Sequence, residues 1–234
     1  MNSRSLVAND FRLLWRHGFA IAYIVVAALY AAVLSALPRA WADAALPVLA
    51  WSDPAFFCFF FAGASVCLDL SQGTFRALFA SPLRPAAYMV AKALNLGLLS
   101  FVMAAAVSAS SRGSDFRLWP LAAAAIAGGA PAAVLGAVAA LRLRSVNRFM
   151  IGSVPLFLLL ALPAAEYAAG PYLPAWFSAL ARLTPADGSL RFARAAYSAV
   201  PWTDLAAGAA SAVAWTAGAS ALALGPAVRA ARGD

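Results

Sequence analysis

Six apolar runs divide this chain, at about Gly18–Leu37, Pro47–Leu68, Ala86–Ala109, Pro120–Leu141, Phe149–Ala165 and Leu205–Gly225. A helix needs roughly 20 such residues to cross the roughly 30 Å of hydrocarbon in a bilayer. With 64% hydrophobic and only 11% charged residues, the chain lacks the polar surface of a water-soluble domain. Helices satisfy their own backbone groups, and the alternating pattern of a membrane barrel is absent. The expected fold is an all-α polytopic membrane protein with six transmembrane helices, forming one domain over residues 1–234.

Basic residues orient the bundle. With the N-terminus inside, the cytoplasmic side receives eleven basic and three acidic residues, and the outer side six of each. The whole formal net charge of +8 then sits on one face, as the positive-inside rule requires. Both termini are expected in the cytoplasm. The charge meets anionic lipid, and no nucleic-acid partner is expected. Cys58 and Cys67 lie nine residues apart in the second run, and about 13.5 Å of helical rise is too far for a bridge.

Residues 1–17 read as an amphipathic interface helix, with Val7, Phe11, Leu14 and Trp15 opposite Ser5, Asn9, Arg12 and Arg16. Such a helix lies flat, with Trp at headgroup depth and Arg toward phosphates. A plain anchor and a contact for a cytoplasmic partner both fit it. Ala40-Trp41-Ala42 resembles a signal-cleavage site, but the long charged segment and full-length run before it favour a retained span. The second run carries Asp53-Pro54 near its outer end, then Phe56, Phe57, Phe59, Phe60 and Phe61. Five phenylalanines in six positions cover every helix face, so some must meet lipid. Phe56, Phe57 and Phe60 fit either simple packing or the lining of a path for an apolar, aromatic solute.

The loop 69–85 is the longest polar interruption with structural signals. Phe75, Leu78 and Phe79 recur at i, i+3, i+4, so a short amphipathic helix is expected to begin near Thr74, its N-cap. Pro82 ends it, and Ser81 caps the next helix. In span three, Lys92 is expected to snorkel to the inner surface, with Asn95 one turn on. Gly128, Gly129 and Pro131 predict a kink or a close helix contact in span four. Between Pro163 and Trp202, five prolines forbid one long helix. Two short helices, Pro174–Leu183 and Gly188–Ser198, are expected as a re-entrant hairpin within 166–202, packed against protein because irregular backbone cannot face lipid. Glu166, at the outer end of span five, fits pairing with a hairpin arginine or a position on a water-filled path.

Several chemistries are excluded. A P-loop needs Lys directly after Gly, and the only lysine, Lys92, follows Ala91. His17 is the only histidine, which leaves no metal constellation, and no hydrolase set stands out. No pair of broken helices in inverted repeat is evident.

The run Asp69-x-x-x-Gly73-Thr74-x-x-x-Leu78-x-x-Ser81-Pro82-Leu83, followed by Lys92-Ala93-Leu94, resembles the cytoplasmic loop of type-2 ABC exporter permeases, with Asp69 where that family usually has Glu. Leu183-Thr184-Pro185 followed by Leu190-Arg191 is similar to that family's segment between its last two spans. The resemblance extends to the interface helix and six spans, and the short form resembles permeases of fluoroquinolone-type drug exporters. It implies a permease subunit, not itself an enzyme, that pairs with a second permease subunit and with P-loop ATPase subunits. ATP and magnesium belong to those partners, and no cofactor is expected in this chain. By the same resemblance, Asp69, Gly73, Thr74, Phe75, Arg76, Leu78, Phe79 and Pro82 form the coupling helix and its flanks. The interface helix, through Phe11, Arg12, Trp15 and Arg16, would brace the same ATPase, and the hairpin would gate the outer side.

The phenylalanine-rich second span and the lack of mid-membrane charge favour a hydrophobic or amphiphilic cargo, drug or lipid-like, exported across a bacterial cytoplasmic (inner) membrane. Haem- or polysaccharide-export permeases of the same class are alternatives, as is a membrane interaction protein or enzyme that transports nothing.

Overall fold

The computed structural model describes residues 11, 12, 14–16, 18–73 and 85–232, with backbone alone at 85, 86 and 224–232. Residues 11, 12 and 14–16 are helical. There follow α1 (Phe19–Ala36), α2 (Arg39–Ser52), α3 (Cys58–Ser71), α4 (Pro85–Arg112) and α5 (Leu118–Leu143). Then come α6 (Val146–Gly152), α7 (Val154–Ala169), α8 (Ala175–Arg182), α9 (Asp187–Ala195) and α10 (Trp202–Arg232). A π-helical turn, Asp53–Phe57, joins α2 and α3 into one 33-residue helix. The described residues contain six helical segments long and apolar enough to cross a membrane, and no strand. The protein is an all-α polytopic membrane protein. Its face bearing the start of α1 is called here the basic face, and the opposite one the hairpin face.

The most buried span is α5, which packs on α3, α4, α9 and α10. Small residues permit that approach: a Cβ on Gly136 would overlap the Phe59 carbonyl, and one on Gly128 would overlap the Ser189 side chain. Of the two expectations for Gly128 and its neighbours, close contact is what the packing uses, and α5 runs without a break through Pro131.

Three boundaries differ from the sequence expectation. The second span starts at Arg39 rather than Pro47, because Pro47 is absorbed inside α2. Asp53 consequently lies roughly 21 Å along the helix from Arg39, at 1.5 Å per residue, and not near the outer end. Pro54 has no N–H to bond the carbonyl of Ala50, and the helix widens there: the Cys58 N–H bonds the Asp53 carbonyl instead. The fifth run splits at Ser153 into α6 and α7, because Pro155 near the start of α7 also lacks a donor. None of the phenylalanines at 56, 57 and 59–61 is left fully exposed. Phe59 is buried and the other four are half-buried among other aromatic rings.

The expected hairpin is present as α8 and α9. Its turn reaches deep into the bundle, where backbone carbonyls have no water to bond. Two indoles serve them: Trp51 Nε1 donates to the Ala186 carbonyl at 2.9 Å, and Trp215 Nε1 to the Leu183 carbonyl at 2.9 Å. Trp51 and Trp215 lie roughly 18–20 Å along their helices from the hairpin face. Ser189 Oγ adds a bond to the Ala124 carbonyl at 2.8 Å, where Gly128 leaves it room. Only α9 is enclosed by protein, whereas α8 exposes Trp176, Leu180 and Leu183 along one side.

Replacing Trp51 by Phe keeps the ring and removes the donor, leaving a buried carbonyl unsatisfied at a cost of about 1–3 kcal/mol. Trp51→Phe is expected to lower the thermal unfolding midpoint in detergent, whereas Trp119→Phe, at an exposed ring, leaves it unchanged. Equal midpoints for the two variants would show that the indole bond does not hold the hairpin.

Candidate functional site

Asp69 occupies the last turns of α3, and Tyr88 and Lys92 stand one turn apart on the first turns of α4. The i, i+4 spacing puts both on one helix face, toward α3. The Tyr88 hydroxyl donates to Asp69 Oδ2, and Lys92 Nζ lies 3.3 Å from the same oxygen. The Lys92 ammonium also sits over the Tyr88 ring, 4.7 Å from its centroid. Asp69 is 8% exposed and Lys92 4%. Lys92 therefore does not snorkel to the surface as the sequence suggested. A carboxylate within reach and a ring beneath it offer the ammonium more than the longer route to water.

This cluster ties the helix entering the 74–84 loop to the helix leaving it. Gly73 closes α3 in the left-handed region, φ +70°, with its N–H on the Leu70 carbonyl at 3.3 Å. Space around it is open, so the backbone angle is what calls for glycine. Thr74, Phe75, Arg76, Leu78, Phe79 and Pro82 lie outside the described residues. Within the interface helix, Leu14 is buried, whereas Phe11, Arg12, Trp15 and Arg16 are exposed. Phe11 and Trp15 meet edge to face at 6.5 Å.

The residues expected along a path separate into two aromatic groups. Phe57 packs with Tyr23 and Phe61, at 5.3 and 5.4 Å between centroids, toward α1. Phe56 and Phe60 face α7 through Phe157, at 4.6 and 5.4 Å, and Phe56 also meets Trp51 at 5.1 Å. Glu166 lies in the last turns of α7, half-buried, and forms no ion pair among the described residues. The hairpin arginines go elsewhere: Arg191 pairs with Asp187 at 2.7 Å and Asp204 at 3.6 Å, and Arg194 stacks on the Tyr167 ring at 5.2 Å. Arg112 and Asp43 close the same face at 2.8 Å.

Tyr88, Trp51 and the depth of Asp53 were not anticipated. The Tyr88–Lys92 spacing is a usable signal for the first, whereas only the packing of α2 against the hairpin reveals the other two. A buried pair loses about 3–5 kcal/mol when one partner is removed, and much less when both become neutral. Lys92→Met or Asp69→Asn alone is accordingly expected to lower the unfolding midpoint in detergent, with the double variant recovering most of the loss. Additive losses would show that the two groups are not coupled.

With the geometry in place, comparison with known proteins gives one assignment. The sequence pattern of the "Fluoroquinolones export permease protein family" matches residues 2–223. No individual curated protein matches. The match takes in all six spans, the Asp69–Lys92 cluster and the hairpin, and the chain belongs to the fluoroquinolones export permease protein family.

Proposed function

We propose that the chain is the transmembrane subunit of an ATP-driven exporter, moving an amphiphilic, drug-like molecule outward with energy from a separate P-loop ATPase. The observation that carries this reading is the buried Asp69–Tyr88–Lys92 cluster, which clamps both ends of a loop patterned Gly73-Thr74-Phe75-Arg76-Ala77-Leu78-Phe79. A loop that transmits force needs ends that do not slide, and a buried ion pair with a shared oxygen supplies them. In this reading the basic face is the cytoplasmic side of a bacterial inner membrane, and both termini lie there. Phe75, Leu78 and Phe79 are the side chains buried in the ATPase, with Arg76 beside them, and Phe11 and Trp15 brace the same subunit. ATP and magnesium bind the partner. Its closure moves the loop, and the rigid α3–α4 pair carries the motion into the bundle.

A second permease subunit covers the apolar faces that this chain leaves open. On α1 these are Ile21, Ile24, Val25, Leu29 and Val33, and on α7 Val154 and Leu158. Spans α1 and α7 are the two least buried of the six. Between two such subunits, Phe56, Phe60 and Phe157 would meet cargo near the symmetry axis, with Glu166 above them.

Replacement of Phe75, Leu78 and Phe79 by Ala is the direct test. Burial of each such side chain is worth about 1.5–3 kcal/mol, so the triple variant is expected to insert normally, lose its ATPase and stop exporting. Normal recovery of the ATPase with normal export would refute the assignment of this loop.

A further inference from the structure

At the hairpin face, the end of α1, the start of α2 and the end of α4 enclose a cavity of about 520 Å³. Leu34 and Ala42 give it a buried apolar lining. Four charged side chains also line it, Arg39 and Asp43 on α2 and Arg112 and Asp115 at and just beyond the end of α4. Two of the four are committed to each other. Arg112 binds Asp43 at 2.8 Å and lies over the Tyr197 ring, 5.4 Å from its centroid. Arg39 and Asp115 are exposed and have no side-chain hydrogen bond or ion pair among the described residues.

The hydroxyls that line the cavity divide in the same way. Ser35 Oγ donates to the Ala32 carbonyl at 2.7 Å, and Ser110 Oγ to the Val107 carbonyl at 2.8 Å. Each then offers lone pairs alone. Ser111 forms no side-chain hydrogen bond among the described residues and is free to donate. Unmatched are therefore a cation with one hydroxyl donor, and a carboxylate with two hydroxyl acceptors. A purely anionic ligand leaves Asp115 opposed, and a purely cationic one leaves Arg39 opposed. A ligand with both charges answers both.

The geometry of each half narrows the chemistry. A guanidinium fork matches the oxygens of a phosphate. The 14-residue α2 begins at Arg39 without a side-chain cap, so its first N–H groups and dipole favour the same anion. Three acceptors suit a primary ammonium, which brings three N–H donors, whereas a quaternary one brings none. Depth supplies the source. Trp41, Trp119, Tyr172 and Trp202 are exposed at the same face, and such residues gather at the headgroup level of a bilayer.

We propose that this cavity binds the phosphoethanolamine headgroup of a membrane phospholipid. Arg39 and Ser111 take the phosphate, and Asp115, Ser35 and Ser110 take the ammonium. The headgroup would then bridge α2 and the α4 end beside the Asp43–Arg112 ion pair that already joins them. This assignment does not depend on what the chain transports or on an ATPase.

The test uses the purified full-length chain in mild detergent, with phosphatidylethanolamine and phosphatidylcholine of identical acyl chains added in equal amounts. Native mass spectrometry reads which lipid stays bound. The wild type is expected to retain phosphatidylethanolamine over phosphatidylcholine by about fivefold, and Asp115→Asn to bring that ratio close to one. Arg39→Gln is expected to weaken retention of both lipids by about the same factor, because both carry the phosphate. Equal retention of the two lipids by the wild type, or an unchanged ratio in Asp115→Asn, would overturn the proposal. A third arm separates the lipid from a free headgroup. Glycerophosphoethanolamine in molar excess is expected to leave the lipid bound, and its displacement of the lipid would overturn the assignment to a membrane lipid.

Discussion

A backbone that crosses hydrocarbon must satisfy its own polar groups, and the whole arrangement follows from how this chain meets that demand where helices end. Long spans meet it automatically. The turn between α8 and α9 does not, because it ends deep inside the bundle. Its Leu183 and Ala186 carbonyls take indole donors from Trp215 and Trp51, and Ser189 reaches back to α5. Those bonds hold the hairpin against three different spans. They also require close approach, which Gly128 gives to Ser189 and the Gly188–Gly208 contact gives to α9 against α10. The hairpin is thus tied to the bundle from several sides.

The same demand is met differently for side chains. At the basic face, Asp69, Tyr88 and Lys92 satisfy one another and make a rigid clamp from charges that would otherwise be expensive to bury. Halfway along α2–α3, Asp53 is left one donor short. Asp69 and Asp53 lie on the same 33-residue helix, at its basic end and near its middle.

Much of this was legible in the sequence, for reasons that differ by element. Apolar run length fixes the number of spans because bilayer thickness does, and prolines 171, 174, 185 and 201 dictate a hairpin because none of them donates a backbone hydrogen bond. Pro47 misleads, since a proline inside a packed span is tolerated and does not mark a start. Lys92 and Asp53 were misplaced for another reason. On helices that are apolar nearly all round, no hydrophobic face shows which way a polar side chain points. Only the packing of α3 on α4, and of α2 on the hairpin, shows that Lys92 turns inward and that Asp53 is deep. Of the residues expected around the coupling loop, Asp69 and Gly73 have roles in this chain's own packing, as ion-pair partner and helix cap, whereas Thr74 to Pro82 rest on their sequence pattern.

The claim on which the functional account turns is that a second protein drives this one. Affinity purification of the tagged full-length chain from its native host in mild detergent, with mass spectrometry of what accompanies it, tests that directly. The account predicts a P-loop ATPase in stoichiometric amount, and a second permease as well if the pair is mixed. Recovery of intact, folded chain with no ATPase would contradict it and favour a membrane protein that works without nucleotide.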